Sequence, residues 1–239
     1  MDPSEALAGC SALVTGASRG IGRAVAARLA AAGAWVALLA RDAAALAQAA
    51  RELGGEAVVA DVRDSAQVEA AVARIRERRG AGPDILVHAA GVFRPTPAEA
   101  TDLEAFDAQV AVNLRGAFLC IRAVLPEMLA RGRGHIVTVG SVAGRRPLPG
   151  NLGYAASKYG LRGMHEVLAE ELRGRGVRFT LVEPAATDTP LWDEVPPLPG
   201  CPPRSRMLRA DDVADAILYA LTRPARVEVE TLALRSALA

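Results

Sequence analysis

Short apolar runs alternate along the chain with longer stretches in which apolar residues recur every three or four positions. The first kind has the length of a strand buried on both faces, and the second that of a helix with one apolar stripe. Their alternation predicts repeated βα units around a parallel sheet. Strands are expected at 11–15, 35–40, 57–60, 85–88, 135–139 and 177–182, with a last one at 227–234. Helices are expected at 21–32, 43–53, 64–79, 103–114, 117–130, 152–173 and 211–221. Gly33 ends the first helix, Asp64 is placed to cap the third, and 80–83 turn the chain into the next strand. Pro and Gly cluster between Pro184 and Pro203, the one long segment without a strong period, and a substrate loop is expected at about 190–208. With no repeat and no second set of elements, 1–239 reads as a single α/β domain with a doubly wound parallel sheet flanked by helices.

Composition narrows the field. A formal charge of +1 over 239 residues gives no concentrated basic face, which argues against nucleic-acid and membrane partners and for a small-molecule substrate. Cys10, Cys120 and Cys201 share no redox or metal-ligand spacing, so neither a disulfide framework nor a metal site is expected. The opening segment carries acids where an export signal needs positive charge, and Arg28 and Gly33 interrupt the apolar stretch at 24–40 before it reaches the ~20 residues of a membrane span. A reducing, cytoplasmic setting is the expectation.

Two constellations carry chemistry. Gly16, Ser18, Arg19, Gly20, Ile21 and Gly22 directly follow the first strand and open the first helix, the context in which backbone N–H groups hold a pyrophosphate in a Rossmann-type fold. At the end of the second strand, where an acid would take the ribose 2′-OH of NAD(H), stand Ala40 and Arg41. An arginine fork there, with Arg19 converging on it, suits the 2′-phosphate of NADP(H), although Asp42 would become an NAD-type acid if the register moved by a residue.

The second constellation is Ser141, Tyr154 and Lys158. Tyr154 and Lys158, four apart on one predicted helix, share a face. A tyrosinate working near neutrality needs its pKa lowered by about 3, or ~4 kcal/mol. One cation about 4 Å away supplies roughly that at an effective dielectric of ~20. Lys158 is the only lysine among 28 basic residues, which lifts this pair above an ordinary surface Tyr and Lys.

In these residues the chain resembles the short-chain dehydrogenase/reductase family, in its shorter single-domain branch, over nearly its whole length. Thr15 to Gly22 is similar to the family's T-G-x-x-x-G-x-G turn, Asp61 and Val62 to its adenine-contacting pair, and Ala90 and Gly91 to the loop that lets the adenosine approach. Asn113 looks like its active-site asparagine, and Pro184, Thr187 and Thr189 fall in a segment similar to the one that holds the nicotinamide carboxamide. The resemblance implies an Asn113–Ser141–Tyr154–Lys158 catalytic set. Tyr154 would exchange the proton, Ser141 would hold the carbonyl oxygen, Lys158 would contact the nicotinamide ribose and lower the phenol's pKa, and Asn113 would position a relay water.

Two positions depart from the pattern. His88-Ala89-Ala90-Gly91 stands where the family has N-N-A-G, which puts a strand-bracing asparagine in doubt and makes His88 a structural residue before a catalytic one. Ala185 stands where the family has Gly, which would tighten the backbone near the nicotinamide.

The reading is thus an NADP(H)-dependent oxidoreductase interconverting a carbonyl and an alcohol. Leu191, Trp192, Val195, Leu198 and Met207 would form an apolar lid, and a homo-tetramer or homo-dimer would pack on the helices at 103–130 and 152–173. One alternative is a 3-oxoacyl-acyl-carrier-protein reductase with Arg131, Arg133, Arg145 and Arg146 as a landing site, against which the C-terminal tail counts. Another is a non-catalytic NADP-binding sensor or scaffold, against which the intact Ser141, Tyr154 and Lys158 speak.

Overall fold

The computed structural model describes residues 6–195, 198 and 200–238. In chain order its strands are β1 (Ser11–Thr15), β2 (Trp35–Ala40), β3 (Glu56–Val59), β4 (Ile85–His88), β5 (Gly134–Val139), β6 (Val177–Pro184), β7 (Thr187–Asp188), β8 (Leu208–Arg209) and β9 (Thr231–Leu234). The helices are α1 (Gly20–Ala31), α2 (Ala43–Leu53), α3 (Ser65–Arg79), α4 (Leu103–Val110), α5 (Gly116–Arg131), α6 (Leu152–Glu171) and α7 (Ala210–Leu221). Seven strands form one parallel sheet in the order β3-β2-β1-β4-β5-β6-β9, and β7 pairs with β8 apart from it.

Strand alternation divides the core into two layers. Val14, Val36, Leu38 and Val87 point to one face, where Val25 and Leu29 of α1, Leu46 of α2, and Val213 and Ile217 of α7 cover them. Leu13, Leu39, Leu86, Ile136 and Phe179 point to the other, under Val68 and Ile75 of α3 and Ile121, Val124 and Met128 of α5. Apolar side chains on both faces of each central strand explain why the strands read as unbroken apolar runs. Side-chain caps fix the starts of α2 and α3: Asp42 accepts from the Ala45 N–H at 3.0 Å, and Asp64 from those of Ala66 and Gln67 at 2.9 and 3.2 Å.

Three segments differ from the sequence expectation. The helices expected at 103–114 and 117–130 form one helical course, joined by a π turn at Ala111–Arg115. Gly116 stands within it where the helix lies so close to the β3–α3 loop that a Cβ would come to 2.8 Å from Val62 Cγ2. The last strand starts at Thr231, not 227. β7 and β8 close the neck of the segment expected as the substrate loop, within which Pro196, Pro197 and Pro199 lie outside the described residues.

Strand order reverses between β1 and β4. The crossovers leave to opposite sides there and open a crevice at the carboxyl ends of the strands, the usual ligand site of such sheets.

Candidate active site

The crevice has a volume of about 1230 Å³, more than the roughly 300–1,000 Å³ typical of a small-ligand pocket. Gly16, Ser18, Arg19, Gly20, Ile21, Gly22, Arg41, Asp61, Val62, Ala90 and Gly91 line one end. Ser141, Tyr154, Lys158, Pro184, Thr187 and Thr189 line the other. Thus every catalytic and cofactor-binding candidate except Asn113 meets in one cleft; of the expected apolar lid, Leu191, Trp192 and Leu198 line it and Val195 and Met207 do not.

The first end is built by close backbone approach. Gly16 has φ +67°, and a Cβ on it would lie 2.8 Å from Ala90 Cα. A Cβ on Gly22 would lie 2.7 Å from the carbonyl carbon of Gly16. Only glycine fits either place. The N–H groups that open α1 face this turn, which makes it a ready anion site, and Arg19 stands exposed at the helix start.

At the end of β2, Arg41 is 60% exposed and lies 4.0 Å from Asp61. The Asp61 carboxylate is forked by Arg63 at 2.6–3.1 Å, which holds it below the usual carboxylate range. Asp42, the residue that would read as an NAD-type acid, has its carboxylate engaged in capping α2. These features fit a dinucleotide: a cradle only glycine allows, a helix N-terminus, and cations at the ribose end.

At the second end, Ser141 follows β5 and its hydroxyl accepts from the Ala143 N–H at 3.1 Å. One turn separates Tyr154 from Lys158 on α6, and the ammonium lies 5.6 Å from the centre of the phenol ring. Lys158 is 5% exposed and donates to the Val139 carbonyl at 2.8 Å. Burial lowers its pKa to about 8. Tyr154 is enclosed by protein while part of its ring faces the cleft; burial raises its pKa, with a hydrogen bond to Ser141 pulling the other way. Burial, not the Lys158 ammonium, sets the direction of the phenol's shift here.

Asn113 sits in the π turn, fully buried behind the cleft wall. Its amide accepts from the Val92 N–H at 2.8 Å and donates to the Val92 carbonyl and to Ser157 Oγ, each at 3.0 Å. It thereby ties the loop after β4 to α6.

The two departures from the family pattern are accommodated. His88 Nδ1 lies 3.1 Å from Thr15 Oγ1, and the same hydroxyl accepts from the N–H groups of Ala89 and Ala90 at 3.2 and 3.1 Å. His88 therefore braces β1 against β4 in place of an asparagine, and its burial, with Lys158 adding, lowers its pKa to about 3. Ala185 keeps a negative φ, so no glycine is required there.

Two features were not anticipated. Phe93, two residues beyond Gly91, packs edge-on against Tyr154 (ring centroids 4.7 Å) and Trp192 (5.2 Å). Glu183, buried at the end of β6, pairs with Arg162 at 2.9 Å and Arg145 at 3.5 Å. This joins the segments that carry Ser141, Lys158 and Pro184. A charged residue directly after the apolar pair Leu181 and Val182 was the available signal.

The profile of the family described as short chain dehydrogenase matches residues 11–198. Among curated proteins, the chain is 39% identical over 240 residues to glycine betaine reductase ATRR of Emericella nidulans, covering 96% of this chain but only 19% of that protein's length. It is 38% identical over 224 residues to D-threitol dehydrogenase of Mycolicibacterium smegmatis, covering 89% of this chain and 86% of that protein. Among solved structures, an alcohol dehydrogenase from the archaeon Thermococcus sibiricus, complexed with 5-hydroxy-NADP, superposes with a TM-score of 0.86 at 32% identity, covering 96% of this chain and 97% of that one.

Proposed function

From the premise that this chain belongs to the short-chain dehydrogenase family and is an oxidoreductase that binds a nicotinamide cofactor, we propose that it uses NADP(H) to interconvert a carbonyl and an alcohol, with Tyr154 exchanging the proton. The observation that carries the reading is the placement of Tyr154, Lys158 and Ser141 in one cleft with the glycine cradle. When bound, the dinucleotide supplies or accepts the hydride.

The chain's own residues do the rest. Burial keeps the Tyr154 phenol protonated, the form that donates to a carbonyl oxygen during reduction. Ser141 holds that oxygen. Lys158, fixed by the Val139 carbonyl, holds the ribose and favours the phenolate when alcohol is oxidised. Asn113 acts through the backbone it fastens, keeping Val92 and α6 in register with the cleft. Arg41 and Arg19 take the 2′-phosphate. This is supported by the engagement of Asp42 in a helix cap and of Asp61 with Arg63.

A carrier-protein landing site finds less support. Arg131 is engaged by the Gly82 and Pro83 carbonyls, Arg133 lies near Asp84, and Arg145 lies near Glu183. The threitol and glycine betaine activities of the relatives differ from one another, and neither is carried over.

Fluorescence titration with NADPH and NADH, alongside carbonyl turnover by the wild type and Tyr154→Phe, tests the proposal. NADPH is expected to bind at least ~10-fold tighter, about 1.4 kcal/mol, and Tyr154→Phe to retain binding while losing turnover. Equal affinities overturn the cofactor assignment, and undiminished turnover in the variant overturns the role of Tyr154.

A further inference from the structure

The substrate end of the cleft differs in character from the cofactor end, and the difference bears on the substrate of the oxidoreductase proposed above, on which this inference rests. Of the charged side chains that line the cleft among the described residues, Arg19, Arg41, Asp42 and Asp61 all stand on the loops after β1, β2 and β3. Lys158 alone lies near the reacting end, buried and bonded to the Val139 carbonyl. Arg204, at the neck of the loop, is engaged by Asp188, by Asp193 at 2.7 Å and by the Thr189 carbonyl at 3.1 Å. A carboxylate or phosphate entering here would leave water without a cation to receive it.

The donor hydrogens of three polar side chains at this end are also engaged. Thr96 Oγ1 shares a hydrogen bond with Thr101 Oγ1 at 2.8 Å, and Asn151 Nδ2 donates to the Leu148 and Pro149 carbonyls at 3.3 and 3.0 Å. Thr187 donates to the Ala185 carbonyl at 2.9 Å. A polyol would therefore find few side-chain donors for its hydroxyl oxygens there, and would have to rely on acceptors such as Asn151 Oδ1.

The hydroxyls of Ser141 and Tyr154, enough for one carbonyl oxygen, are set in walls of Phe93, Trp192 and Leu148. Phe93 lies edge-on to both Tyr154 and Trp192, so an apolar surface runs from the proton donor to the loop. Aromatic walls arranged this way favour a flat or bulky apolar group beside the reacting carbon. We propose that the substrate is an uncharged carbonyl compound, or its alcohol, that carries an aryl or branched alkyl group and few or no other hydroxyls.

The test is steady-state reduction with NADPH of an aryl ketone, a short ketose, a 2-oxo acid and a trimethylammonium aldehyde. The enzymes compared are the wild type, Trp192→Ala and Leu148→Arg. The aryl ketone is expected to exceed the others in kcat/KM by ~100-fold or more, the scale at which buried polar groups without partners are rejected. Trp192→Ala is expected to lower kcat/KM for the aryl ketone ~10-fold, chiefly through KM, by removing apolar contact. Leu148→Arg is expected to raise turnover of the 2-oxo acid while lowering that of the aryl ketone, a reciprocal change that loss of folding cannot imitate. Turnover of the ketose, the oxo acid or the ammonium aldehyde equal to or above the aryl ketone overturns the inference and leaves the oxidoreductase reading standing. If the wild type reduces nothing, as Tyr154→Phe is expected to do, that reading falls and takes the inference with it.

Discussion

At the scale of single residues, the buried histidines set the protein's response to acid. His88 is bonded to Thr15, His135 Nε2 lies 2.8 Å from Thr180 Oγ1, and His165 Nδ1 lies 2.8 Å from Thr138 Oγ1. Burial lowers their pKa values to about 3, 3 and 4 respectively. All three are therefore neutral in the folded chain at pH 5, while unfolded histidine, with a pKa near 6.5, is protonated. The unfolded state binds more protons, so stability falls as pH drops below about 6.5. Each histidine contributes about 2 kcal/mol of that loss by pH 5, about 6 in all, comparable to the whole stability of a typical domain. Urea denaturation at pH 8 and pH 5 is expected to show a much lower midpoint in acid. Replacing His165, which lies on α6 away from β1 and β4, by Gln is expected to recover part of the difference. Coincident midpoints at the two pH values would refute this account.

At the scale of elements, Glu183 fastens β6 to α6 through Arg162 and to the loop after β5 through Arg145. Glu183→Gln leaves two guanidinium groups facing a neutral amide and is expected to destabilise the fold by about 2 kcal/mol, less than a fully buried pair because both arginines are partly exposed. A double-mutant cycle with Arg162→Gln measures the coupling, and strictly additive losses would show that the pair holds nothing together. This bond joins residues 21 positions apart in the chain, and it was not legible beforehand, because spacing arguments reach only neighbours along one element.

The strands of the main sheet were legible, since Val36 to Leu39 and Leu86 to Val87 must be apolar on both faces to sit between two helical layers. The π turn at Ala111–Arg115 was not, because Ala-Val-Asn-Leu-Arg holds no residue type that separates an α turn from a π turn. The pairing of Tyr154 with Lys158 followed from a four-residue interval. Their acidities did not, because burial is a property of the whole surroundings and composition does not carry it.

For the whole molecule, the outer faces of α4, α5 and α6 matter most. Leu103, Phe118, Leu152, Tyr159 and Val167 are exposed there, Leu103 to 82%. The helical course Leu103–Arg131 is also long and apolar enough to cross a membrane, but half of its most apolar stretch is buried within the protein. Exposed apolar groups at this density, on the helices expected to pack between subunits, support assembly into a dimer or tetramer. Sedimentation is expected to give two or four times the mass of one chain, and Phe118→Asp or Val167→Asp to shift it toward one. A wild-type chain that sediments as a monomer would rule the assembly out.

The two-residue pairing of β7 with β8 fastens the ends of the loop between them, at Thr187–Leu208 and Asp188–Arg209, just where the chain leaves the segment proposed to hold the nicotinamide and rejoins α7. Thr189, the first residue past the clasp, packs near Gly20 of the glycine turn and belongs with the cofactor end, whereas the chain from Pro190 to the second clasp can change in length and chemistry with less effect on that cradle. The loop is thus an exchangeable cassette. Transplanting that stretch from another member of the family, with Thr189 kept, would move the range of accepted molecules and leave dinucleotide affinity where it was.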